Sequence, residues 1–161
     1  MGLFDAFKKK EKITQKPFSI FDQFSIDIRN LDKKDFIELD EEINLIGTKY
    51  KVYSYMLPLS EFDIFDSLEF YEFLSGERNV FFKATLLKQF DAKKFINFIN
   101  RLHENLGVDE FKNTKFEIPL ETNDIVKMQW LGRWWKNFKP EIIITQQAMF
   151  LTMVISLGAP K

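Results

Sequence analysis

No cysteine and a single histidine occur among the 161 residues of this chain, and glycine and proline are sparse at 6 and 5. Without cysteine there is no disulfide, no thiol nucleophile and no thiolate metal site. One histidine, His103, is too few for a multi-histidine zinc site, and a Ser-His hydrolase would have to be built around that one ring. The few glycines form no phosphate-cradling loop, no Gly-x-Ser-x-Gly elbow and no Ca²⁺-loop spacing. Neither a cofactor nor a metal is therefore expected. Arginine is also scarce, 4 against 19 lysines, which argues against nucleic acid as a partner because bidentate base and phosphate contacts favour arginine. No apolar run approaches the ~20 residues that span a bilayer. The strongest, from Ala148 to Ile155, is broken by Thr152. The lysines Lys8, Lys9 and Lys10 precede no apolar core, so no secretory leader is expected and the default compartment is the cytoplasm.

What the chain does have is aromatic residues, 19 Phe, 4 Tyr and 3 Trp, within a composition that is 45% apolar and 29% charged. That is a globular composition at a length able to bury a sizeable core. The formal net charge of −1 hides segregation. Residues 1–18 carry 5 bases against 2 acids, residues 19–77 carry 14 acids against 5 bases, and residues 78–161 carry 13 bases against 8 acids. An acidic middle of this kind either attracts the basic C-terminal half of the same domain or steers a basic partner.

Residues 1–17 read as a basic, amphipathic tail ahead of one domain over 18–161. Leu3, Phe4 and Phe7 can share a helical face with Lys8 and Lys9 beside it, a pattern suited to an anionic membrane surface. A loose tail is the plainer expectation, since so short a helix is marginal in water. Phe18 to Ile28 suggests an extended stretch, and residues 36–42 give no clear period. Ile43–Ile46, Gly47-Thr48 and Tyr50–Leu57 read as a hairpin. Ser60 could cap a helical turn, Leu68 to Phe73 fits a strand, and Val80 to Leu87 alternates as a buried strand. Asp91 caps a helix whose stripe is Phe95, Phe98, Ile99, Leu102 and Leu106, with Gly107 at its end. A second helix is expected from Asn123 or Asp124 through Phe138, stopped by Pro140, and Phe116–Leu120 links the two. Glu141–Gln147 and Phe150–Leu157 read as closing strands. The sum is an α+β fold: an antiparallel sheet with two amphipathic helices packed on one face.

Candidate functional residues are few. His103 lies at the margin of its helix stripe and reads as a packing residue with a wet tip, because no orienting carboxylate points at it. Two acidic clusters occur: Glu38, Asp40, Glu41 and Glu42, and then Glu61, Asp63, Asp66, Glu69 and Glu72. Neither has metal-loop spacing, so both read as solvated acidic faces. The segment Trp130-Leu131-Gly132-Arg133-Trp134-Trp135 has the most character. On a helix its apolar arc is unusually wide, so either it packs on sheet and neighbouring helix together or an edge reaches a partner. Trp130, Arg133, Trp135, Glu38, Asp40, Glu41 and Glu42 are therefore the candidate partner contacts.

These features favour a non-catalytic protein-interaction module, such as an inhibitor, an immunity-type protein or an accessory subunit. A carrier holding an apolar ligand in an aromatic-lined cavity is the alternative, and attachment to a membrane through the N-terminal segment is a third. An enzyme using only carboxylates, lysine and tyrosine ranks last.

Overall fold

In the computed structural model, the residues described are 19–23, 27–29, 32–43, 47–55, 64–86 and 90–158. They form one seven-stranded sheet in which every neighbouring pair is antiparallel. The strands are β1 (Phe36–Ile43), β2 (Lys49–Tyr55), β3 (Ser67–Phe73), β4 (Arg78–Thr85), β5 (Arg133–Trp135), β6 (Glu141–Gln147) and β7 (Phe150–Gly158). Their order is β1-β2-β3-β4-β7-β6-β5. Helices α1 (Ala92–Leu106) and α2 (Leu120–Val126) lie in the connection between β4 and β5. The α+β architecture read from the sequence is the architecture of the molecule.

Alternation along the strands decides which face is buried. Leu68 and Phe70 of β3 pair with Phe82 and Val80 of β4. Those two pair with Met153 and Ile155 of β7, which face Ile144 and Ile142 of β6. All eight side chains are buried, and they form one cluster with Phe95, Ile99 and Leu102 of α1 and Ile125 of α2. α1 forms where expected. The Asp91 carboxylate accepts from the Lys94 amide at 3.0 Å, and Gly107 closes the helix at φ +80°, a conformation that glycine adopts without a Cβ penalty. β6 and β7 also form as read, joined through Ala148 at φ +50°.

Other readings need correction. The hairpin of β1 and β2 begins at Phe36, earlier than its expected start at Ile43, and continues past an irregularity between Glu38 and Asp40. Ile20–Gln23 is a 3-10 turn in place of an extended stretch. Leu120 opens α2 and does not belong to an extended link. The largest correction concerns residues 123–138. α2 ends at Val126, Met128 and Gly132 take positive φ of 59° and 87°, and Arg133–Trp135 continue as strand β5. A Cβ at Gly132 would overlap the carbonyl oxygen of Ile144, so glycine is required where the chain turns onto the β6 edge. The N-terminal segment 1–17 and Ser60 lie outside the described residues.

Candidate functional site

Three places in the fold gather chemically distinctive side chains, beginning with a buried polar cluster under β5. The antiparallel register puts Arg133 opposite Ile144 and Trp135 opposite Ile142, both on the helix-covered face, while Trp134 points to the other face. Arg133 is 1% exposed, yet its donors are met on several sides. Its Nε donates to His103 Nε2 at 2.9 Å, one terminal nitrogen to the Gly132 carbonyl at 2.7 Å, and the other to Glu121 Oε2 at 2.6 Å and the Lys115 carbonyl at 3.1 Å. Asp109 adds a second carboxylate, 3.7 Å from Nε. The guanidinium also lies over the rings of Trp130 and Phe116, at 5.4 and 5.9 Å.

Each neighbour is held in turn. Glu121 accepts from the Trp130 indole at 2.7 Å and the Glu117 amide at 2.6 Å. Burial pushes its carboxyl upward, but the hydrogen bonds from Arg133, Glu117 and Trp130 outweigh that and hold it below the usual 4.5. His103 accepts from Arg133 at Nε2, so its proton sits on Nδ1, which donates to the Gly107 carbonyl at 3.0 Å. Burial lowers its pKa below the ordinary 6.5, and the adjacent Arg133 charge pushes the same way. Trp135 packs edge-on to His103 and donates to the same Gly107 carbonyl. The cluster is saturated and shut off from solvent, which makes it a brace joining α1, α2 and β5.

This placement corrects the expected partner patch. Trp130, Arg133 and Trp135 are 5%, 1% and 1% exposed, so none of them offers a surface to a partner. Glu38, Asp40, Glu41 and Glu42 all lie on the edge strand β1. There Glu38 is exposed and accepts from Lys51 at 2.8 Å; the side chains of the other three lie outside the described residues. Leu3, Phe4, Phe7, Lys8 and Lys9 also lie outside them. The second acidic group does not converge. Glu69 faces one side of the sheet with Lys83 at 2.6 Å, and Glu72 the other with Lys33 at 2.6 Å. Among the described residues no group of three or more acidic or histidine side chains is placed to hold a metal ion, and no helix is long and apolar enough to cross a membrane.

No family model, curated protein or solved structure matches this chain.

The second place is the face of the sheet opposite the helices. The register brings Trp134, Ile143, Val154 and Phe81 side by side across β5, β6, β7 and β4. The row runs on through Tyr71, stacked on Phe81 at 4.1 Å, to Val52 and Tyr50, and Tyr50 stacks on Tyr71 at 5.2 Å. Apart from Val52, which is buried, every member of the row is half-buried. None of them belongs to the main hydrophobic cluster. The lone tryptophan of the three that faces outward, Trp134, is fixed by its indole donating to Glu141 at 2.6 Å.

The third place is an apolar pocket of about 270 Å³ at the end of the sheet where β4 stops and β7 starts. Phe90, Phe95 and Ile96 at the start of α1, Phe116, and Ile125 and Val126 of α2 line most of it. Met128 and Met149 complete a flexible rim. Neither the outer row nor this pocket was singled out from the sequence. The period-2 alternation of β4 and β7 is the signal that could have exposed the row.

Proposed function

We propose that this chain is a non-catalytic binding protein that docks a protein partner against the face of its sheet opposite the helices. The observation that carries the reading is the half-buried row Trp134, Ile143, Val154, Phe81, Tyr71 and Tyr50, which crosses the sheet on the side away from both helices. Contiguous apolar surface of this kind, rich in Trp and Tyr, is the type of surface that forms interface cores. The saturated state of the Arg133 cluster supports the non-catalytic half of the reading, because its titratable groups are already committed to one another. The acidic edge strand β1 lies beside one end of the row, where Ile37 is 54% exposed. The partner that fits is a protein surface with an apolar centre and basic groups toward the β1 side.

The test is affinity capture from a lysate of the source cells, comparing the natural chain with Val154→Lys and Phe81→Lys, each first shown to melt cooperatively. A stoichiometric protein held by the natural chain and lost from both variants is the expected result. Capture unchanged by either variant overturns the reading.

The pocket between α1 and α2 favours a second reading, a small apolar ligand. Its lining is almost wholly hydrocarbon and thioether, and its size is near the lower end for small-molecule sites. Extraction of the purified protein into organic solvent followed by mass spectrometry should release one compound in stoichiometric amount. A chain that yields none, and whose melting temperature is unmoved by medium-chain fatty acids, does not work as a carrier.

A further inference from the structure

At the opposite end of the sheet from the apolar pocket, where β4 begins and β7 ends, a groove of about 810 Å³ opens between the N-terminal residues and the β5–β6 connection. Its lining carries four cations, Arg29, Arg78, Lys136 and Lys139, against one carboxylate, Glu141. Two of the chain's four arginines are therefore spent on a single depression. The cations differ in how they are held. Arg29 is bonded to Asp27 at 3.1 Å and lies over the Phe21 ring. Lys136 lies over the Trp134 ring with its side chain otherwise exposed, and Lys139 is exposed. Glu141 is engaged by the Trp134 indole. Arg78 is the exception: its Nε is buried and, among the described residues, has no hydrogen-bond partner. A buried, unpaired guanidinium nitrogen is costly, and such groups normally meet an acceptor. The acceptor that suits a guanidinium in a groove also lined by ammonium groups is a phosphate oxygen.

We propose that this groove binds a phosphate-bearing small molecule, its phosphate on Arg78 with Lys136 and Lys139 around it. Phe21 and Phe138 present apolar surface on the same lining, so the rest of the ligand is a planar or apolar group, as in a nucleotide. The groove volume is within the range that small-molecule ligands fill. The groove adjoins one end of the apolar row, through Lys136 over the Trp134 ring and Glu141 on its indole, but its cations take no part in either reading above.

Titration calorimetry at low ionic strength with ATP and with pyrophosphate tests this directly. ATP is expected to bind saturably at one site and pyrophosphate more weakly at the same one, since it lacks the planar part. Binding should weaken as salt is raised. Arg78→Gln should reduce ATP affinity about tenfold or more, the loss expected for one charge-assisted hydrogen bond. Should Arg78→Gln fail to fold, the exposed pair Lys136→Gln/Lys139→Gln and the single variant Phe138→Ser take its place. The pair should weaken both probes, and Phe138→Ser should weaken ATP alone. Absence of saturable binding by both probes, or affinities unchanged in these variants, overturns the proposal.

Discussion

Two arginines on the helix-covered side of one sheet have opposite surroundings. Arg133, under β5, meets acceptors at Nε and both terminal nitrogens, faces two carboxylates and packs over two aromatic rings. Arg78, at the first position of β4, has a buried Nε that meets nothing among the described residues. A charge whose three nitrogens each meet an acceptor inside the fold is committed to the fold. A charge with one buried nitrogen left unpaired, in a groove that other cations line, is a fold-level cost that an external acceptor can relieve.

The sharpest way to test that contrast is to remove each arginine and measure stability. Arg133→Met should destabilise the protein by about 3–5 kcal/mol, because Glu121 and Asp109 are left as buried carboxylates without their cation. Urea unfolding followed by tryptophan fluorescence will read the loss; a midpoint close to that of the natural chain would mean that the cluster is not a brace. Gly132→Ala tests the backbone that delivers Arg133. The positive φ and the overlap with the Ile144 carbonyl should together cost about 2–4 kcal/mol in the same assay.

The cluster should also make the fold sensitive to acid in two stages. His103 has a pKa lowered by burial, so the unfolded chain takes up a proton that the folded chain refuses. Its stabilising share is present above the ordinary 6.5 and declines as pH falls below it. Glu121 is held below 4.5, so its share persists until pH drops through that value and is lost beneath it. The urea midpoint should thus be level above neutrality, fall gently from about pH 6.5 and steeply below about pH 4.5. A midpoint that stays flat between about pH 7 and pH 5 would show that folded His103 accepts a proton as readily as the free ring.

Arg78→Gln should have the smallest effect on stability, within about 1 kcal/mol, because no internal hydrogen bond from its Nε is lost. A loss as large as that of Arg133→Met would erase the distinction between the two sites.

Much of the sheet and α1 was legible in the sequence, because alternation in β4 and β7 and the Asp91-to-Gly107 frame are local signals. The misreading of residues 127–138 has a specific cause. Trp130, Trp134 and Trp135 fit a helical arc, yet the same residues read with period 2 put Arg133 and Trp135 on one face and Trp134 on the other. The run of bulky aromatics favoured the strand, and Gly132 takes a positive φ that a helix interior does not use. The buried cluster was not legible at all. Its members come from residues 103, 109, 121 and 133, and only the packing of α1 and α2 against β5 brings them within bonding distance. His103 was expected to keep a wet tip, and in fact both ring nitrogens are bonded within the protein.

One measurement addresses the central contrast most directly: the NMR signals of the arginine Nε–H groups during a titration with ATP. The chain has four arginines, so the spectrum is simple, and the Arg78 signal is assigned by its disappearance in Arg78→Gln. The account predicts that the Arg78 signal shifts saturably, while the most exchange-protected signal, that of Arg133, stays in place. Movement of the protected signal with Arg78 unmoved would contradict it, placing the responsive charge in the cluster assigned here to the fold alone.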